Sequence, residues 1–156
     1  MTSVKLVWAT HNPEPLIVEM ARVSAPKNAK NMETGPKLLN YLIQHEHWSP
    51  FKMANMCVEI YTTWLINHQN LKNYQELVSN GVAKESARFI LPMATPTKLY
   101  MNGTLRSWIH YIGLRTKHGT QLEHKEIAEE CKAIFIKQFP IISEALKESL
   151  WKWLNL

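Results

Sequence analysis

Between residues 53 and 62 the apolar period of the chain becomes two. Ala54, Met56, Val58 and Ile60 alternate with Asn55, Cys57, Glu59 and Tyr61. A period of two puts one set of side chains on one face of a strand. The flanking segments have helical spacing instead. A single half-buried strand cannot be stable by itself, so it needs strand partners on its edges and helices on its apolar face. The chain is therefore read as one α+β domain over residues 1–156, with no internal repeat, low-complexity tract or linker.

The other elements follow from local signals. Val4 to Trp8 alternates weakly and reads as an opening strand. Asn12-Pro13 offers a cap and a first-turn proline for a helix over 13 to 23, with Leu16, Met20 and Val23 at helical spacing. Residues 25 to 35 read as loop. Pro36 opens a second helix carrying Leu38, Leu39, Leu42 and Ile43. Thr63 to Asn80 is expected to be helical, stopped by Asn80-Gly81, and Val82 to Leu91 a short helix stopped by Pro92. Met93 to Tyr100 is expected to be extended and Asn102-Gly103 a turn. Leu105 to Leu114 is a helix with Leu105, Trp108, Ile109 and Ile112 apolar. Thr120 and Glu123 form a capping-box pattern for the next helix, and Pro140 begins the last, which ends near Trp151 and Trp153.

A formal net charge of +5 permits an anionic partner without naming one. Cys57 and Cys131 lie far apart and in no CxxC pair, so neither a disulfide framework nor a zinc site is expected. No apolar run reaches membrane-spanning length and the start of the chain has no signal-peptide pattern, which reads as a reduced, intracellular protein. GxSxG, Walker and GxGxxG motifs are all missing.

The residues that carry chemistry are arginines set among apolar neighbours. Glu85 and Arg88 lie one helical turn apart before the run Phe89-Ile90-Leu91. Arg106 and Arg115 bracket the helix beyond. In such surroundings the guanidinium groups are expected to be buried and not to form a solvated face, and buried guanidinium groups need planar anionic partners, of which phosphate is the usual one. His110 lies four residues after Arg106, so the two share a helix face, which is either a ligand face or a half-buried one with its tips in water. His45-Glu46-His47 ends a helix, where alternate residues do not share a face, and no third ligand is close in sequence. No metal site is expected, and His47 with the rigid Trp48-Ser49-Pro50-Phe51 loop is read as a nucleotide or cofactor contact. His118 and His124 read as surface residues, and Cys57 as core filler.

Five segments in order, Ala21-Arg22-Val23-Ser24, His47 to Phe51, Gly81 to Pro92, Leu105 to Trp108, and Leu114-Arg115, resemble the flavin-dependent thymidylate synthases, most of all their short viral (phage) and cyanobacterial-type members. The resemblance implies a small mixed sheet packed with helices and a homotetramer with shared active sites. It implies a flavoprotein that binds FAD and converts dUMP to dTMP, a methyltransferase of nucleotide biosynthesis using methylenetetrahydrofolate and NADPH. By the same resemblance Arg115 is the catalytic residue, contacting dUMP and polarising its uracil ring. Arg88 and Gln69 also contact dUMP, and Ser24, His47, Ser49, Arg106 and His110 surround FAD. The location implied is the cytoplasm, or the host's cytoplasm for a viral protein.

The chain departs from the family in one large respect. The family's Arg-His-Arg hallmark, which contacts flavin and the dUMP phosphate, is expected after the Met53 to Thr63 strand, where Lys72-Asn73-Tyr74 stands if Gln69 is in register. Several dozen residues are missing there, and Lys52 replaces a common acidic residue. Three explanations stay open: a catalytically impaired nucleotide-binding relative, acting alone or with a full-length synthase; a site completed by neighbouring subunits or a separate polypeptide; or a sequence from which a segment is omitted. A small nucleic-acid-binding protein is the rival from another class, disfavoured because the arginines lie in motifs and not along one stripe.

Overall fold

The computed structural model describes residues 2–23, 31–62, 68–92, 95 and 97–148. Strand β1 (Ser3–Ala9) is followed by helices α1 (Pro13–Ala21) and α2 (Gly35–Gln44), a 3-10 helix (Pro50–Lys52) and strand β2 (Asn55–Thr62). Next come α3 (His68–Ser79), α4 (Lys84–Ala87), a second 3-10 helix (Arg88–Ile90), β3 (Thr97–Thr104), α5 (Leu105–Arg115), α6 (Leu122–Gln138) and α7 (Pro140–Glu148). Ser24 and the Trp151–Trp153 segment lie outside the described residues, as do parts of the segments expected to be helical after Thr63 and extended after Met93.

β2 is the central strand of a three-stranded sheet in the order β1-β2-β3. Both pairings are antiparallel, where a mixed sheet was expected. The reason lies in the first connection, which spends a pair of helices. It returns the chain to the end of the sheet it left, with Ala9 opposite Met56. The alternation in β2 survives folding. Met56, Val58 and Ile60 are buried, and Glu59 and Tyr61 face outward, as the period of two requires. Asn102-Gly103 does not turn the chain. These residues pair with Cys57 and Met56 inside β3, because eight consecutive partners along β2 outweigh a local turn preference.

β3 runs directly into α5. Thr104 caps that helix through its hydroxyl, which accepts from the Ser107 N–H. Leu105, Trp108, Ile109 and Ile112 form the buried stripe, and the Trp108 indole N–H donates to the Met56 carbonyl at 2.8 Å. The expected capping box before α6 does not form. The cap is Gln121 and it makes no side-chain bond. Asn12 does sit at the cap of α1, but in left-handed backbone and without a side-chain bond. The segment expected as one helix from Val82 to Leu91 is a single α turn followed by a 3-10 turn.

The last helix is fastened to the first by a remote cap. Buried Glu14 in α1 accepts from the backbone N–H groups of Ile141 at 2.7 Å and Ile142 at 2.9 Å, at the start of α7. A carboxylate satisfies donors that the helix cannot satisfy itself and complements its dipole. Burial still outweighs those two bonds and raises the Glu14 pKa above 4.5. Its folded pKa lies above its unfolded one, so its contribution is full below the unfolded value and is lost as pH rises through the folded one. Denaturant melts of Glu14→Gln should therefore gain on the natural protein as pH rises from 4 to 7. Glu14→Ala should lose about 1–2 kcal/mol at both, since it orphans both donors. Parallel pH curves for the natural chain and Glu14→Gln would refute the titration.

α2 ends in a left-handed turn. The His47 N–H donates to the Leu42 carbonyl at 2.8 Å and the Glu46 N–H to Ile43 at 3.2 Å, with Glu46 at φ 57°. This is the bond pattern that glycine usually terminates. Glu46→Gly should stabilise the fold by roughly 0.5–1 kcal/mol, the relief of left-handed strain less the added unfolded-state entropy. A lower urea midpoint would instead mean that the Glu46 side chain holds the turn.

Candidate functional site

The left-handed turn at Glu46 redirects the chain across the end of the sheet. Trp48 and Phe51 then anchor the loop. Both are buried, with ring centroids 5.8 Å apart. Between and around these anchors His47, Ser49 and Lys52 remain exposed. The alternation of anchored ring and free polar side chain is the loop's design, since the 3-10 helix Pro50–Lys52 is too short to bury a stripe. α5 packs against that 3-10 helix, which brings Arg106 and His110 to the same place from sixty residues further along.

The result is an open cleft of about 540 Å³ lined by Ala21, Leu42, Trp48, Pro50 and the polar set Glu46, His47, Ser49, Lys52 and Arg106. The His110 ring lies 5.2 Å from the Trp48 ring, in an edge contact. His47 also meets Tyr41 and His45 edge-on, and Tyr41 stacks on His45 at 4.0 Å. The cleft thus offers a guanidinium, an ammonium, a hydroxyl and an imidazole beside an indole wall. Of the residues expected around FAD, His47, Ser49 and Arg106 share this cleft and His110 abuts its wall, while Ser24 is outside the described residues. Lys52 and Glu46 were not singled out as site residues. Their lining of the cleft depends on the turn geometry, which no spacing rule reveals.

The residues expected at dUMP lie on three different elements. Gln69 lies in the first turn of α3 and donates to Asn73 Oδ1 at 2.8 Å. Arg88 opens the second 3-10 helix and Arg115 ends α5. Both arginines are exposed, Arg106 is half-buried, and none of the three forms an ion pair among the described residues. The expectation that these guanidinium groups are buried is corrected for the single chain. Arg88 follows a one-turn helix that has no face to bury, and neighbouring Phe89 is itself 84% exposed. Glu85 and Arg88 form no ion pair among the described residues.

Beside Arg115 stand two groups that sequence reading passed over or misplaced. Tyr111 is half-buried, and burial pushes its hydroxyl up to about 12 against the opposing pull of Arg115. His124 is half-buried, not a surface residue. Burial and then the Arg115 charge lower its pKa. Their rings lie 5.7 Å apart. Cys57 and Cys131 are buried and free, and among the described residues no three His, Cys, Asp or Glu side chains are grouped to hold a metal. No helix among the described residues is long and apolar enough to cross a membrane.

Comparison with known proteins adds the family. A family model described as thymidylate synthase complementing protein matches residues 5–72 and 66–141. The probable flavin-dependent thymidylate synthase of Paramecium bursaria Chlorella virus 1 is 36% identical over 202 aligned positions, covering 90% of this chain and 94% of that protein. The flavin-dependent thymidylate synthase of Synechocystis sp. is 34% identical over 196, covering 87% and 90%. Both alignments are longer than the chain's own 156 residues, so these relatives carry residues that this chain lacks. The crystal structure of the UMP/dUMP methylase PolB from Streptomyces cacaoi, bound with 5-Br dUMP, superposes with a TM-score of 0.81 over 95% of each chain at 21% identity, which shows a common fold. With its two matched segments spanning most of the chain, and relatives above 30% identity aligned over nearly their full length, the chain belongs to the flavin-dependent thymidylate synthase family.

Proposed function

We propose that this chain binds FAD and dUMP and takes part in the methylation of dUMP to dTMP, with methylenetetrahydrofolate as one-carbon donor and NADPH as reductant. The observation that carries the reading is the cleft shared by His47, Ser49 and Arg106, with His110 at its wall. Its donor set suits a flavin nucleotide. Arg106 offers a fixed fork to a phosphoryl group, Ser49 a hydroxyl, and Trp48 an apolar face for a planar ring. Bound flavin would supply the redox chemistry, and the protein's share is orientation and electrostatics.

On the nucleotide side Arg115 carries the catalytic role. A uracil attacked at C6 accumulates negative charge on C5 and its C4 carbonyl oxygen, and a guanidinium that stays charged stabilises that charge at every working pH. Arg88 takes the phosphate or sugar side, with Gln69 as a further contact. The exposure of Arg88 and Arg115 on two different elements suits a site completed by another copy, the homotetramer of the resemblance.

A second reading has an observation of its own. The family match falls in two segments that overlap at residues 66–72, and the relatives' alignments exceed this chain in length. A chain shortened within its flavin motif would bind nucleotide without turnover, alone or beside a full-length synthase.

Absorbance spectra with and without added FAD separate the two. A flavin spectrum that bleaches on reduction, and tritium released from 5-tritiated dUMP when folate and NADPH are added, are expected for the enzyme. Flavin binding without release is expected for the impaired relative, and no flavin uptake by a folded chain would overturn the first reading.

Arg115→Ala should weaken dUMP binding by roughly 10- to 100-fold with the fold intact, the loss of one charge-assisted partner. Calorimetry showing unchanged dUMP affinity would remove Arg115 from the site.

A further inference from the structure

Lys52 ends the 3-10 helix Pro50–Lys52 and lines the same cleft as Arg106. Neither cation forms an ion pair among the described residues, although Glu46 lines that cleft as well. Other lysines of this chain do pair with acids in reach, Lys98 with Glu59 at 2.7 Å and Lys147 with Glu144 at 2.9 Å. Two like charges on the wall of one cavity repel each other, so folding gains nothing from placing them together. The placement becomes favourable when an anion with more than one charged group lies between them. A pyrophosphate has that form. One phosphoryl group takes the planar fork of a guanidinium and the next takes an ammonium as a point charge. Ser49 adds a hydroxyl, and the apolar side chains of Ala21, Leu42 and Trp48 leave the rest of the cleft suited to an uncharged ring.

We propose that Lys52 is a specificity-determining residue of this cleft: with Arg106 it grips the pyrophosphate of a dinucleotide flavin, so that the chain selects FAD over flavins without that group. The inference rests on the flavin reading above and extends it to the choice among flavins. Lys52 acts on binding alone, and no bond is made or broken through it.

The test titrates the full chain with FAD, FMN and riboflavin, following flavin fluorescence and absorbance, for the natural protein, Lys52→Glu and Lys52→Arg, with circular dichroism as a fold check. The natural chain should prefer FAD to riboflavin, with FMN between them. Lys52→Glu should lose at least 10-fold in FAD affinity and leave riboflavin unchanged, while Lys52→Arg keeps most of the preference. If Lys52→Glu does not fold, Lys52→Gln takes its place with the same expected direction. Equal FAD affinity in the natural and substituted chains, or a parallel loss for riboflavin, overturns the role of Lys52 and leaves the flavin reading standing. A natural chain that takes up none of the three flavins overturns both.

Discussion

The hydrogen bond from the Trp108 indole to the Met56 carbonyl, buried at the end of the central strand, fixes α5 over the sheet. Much of the molecule depends on that placement. β2 is the strand with a neighbour on each edge, and its inner row of Met56, Val58 and Ile60 is fully covered. The buried stripe of α5 closes over this row, and α6 brings Cys131 and Phe135 into the same core. Because the stripe is fixed, the opposite face of α5 is fixed as well. Arg106 and His110 then meet a loop that arrives from the other end of the core. A packing constraint therefore sets the geometry of a polar cleft, and a polar side chain buried with its partner satisfied makes the constraint specific.

The charges divide into two populations. Carboxylates with structural work are partnered. Glu14 caps α7, and Glu59 accepts from Lys98 and Tyr100, whose hydrogen bonds lower its pKa. Four cations in or beside the later motifs, Arg88, Arg106, Arg115 and Lys52, form no ion pair among the described residues. A chain of formal net charge +5 that pairs these acids and leaves these four cations without an ion pair among the described residues presents a positive field that attracts anions before any contact is made.

What the sequence disclosed was mostly local. The period of two in β2 and the stripe Leu105, Trp108, Ile109, Ile112 appear in the fold where the pattern put them, since each periodicity reports a face that must be buried. Asn102-Gly103 misled because its turn chemistry is weaker than a full ladder of strand partners, which lies outside any local window. The Thr120 capping box misled because the helix starts two residues later, at Leu122. Arg88 looked buried because Ala87, Phe89 and Ile90 flank it, yet in a one-turn helix followed by a 3-10 turn those neighbours point in different directions. The grouping of residues 47, 49 and 106 depends on α5 packing against the loop, and Lys52 joins them only because Glu46 adopts a left-handed turn. Candidate residues could be named one by one, whereas their grouping could not.

The two-part family match bears on how such a fold tolerates change. α1, α2, the Trp48–Phe51 loop, β2 and α5 to α7 supply the buried core side chains, and none of them comes from the described residues 69–72 of the overlap. A change of length at that junction therefore leaves the hydrophobic balance almost untouched, and the superposition on PolB over 95% of the chain agrees with an intact core. Loops that carry ligand contacts can change length at small cost in closure entropy, while a core strand cannot. Stability and chemistry are thus separable in this architecture. A chain that keeps β2 and α5 keeps the scaffold and its cleft cations, whatever the longer relatives hold in addition.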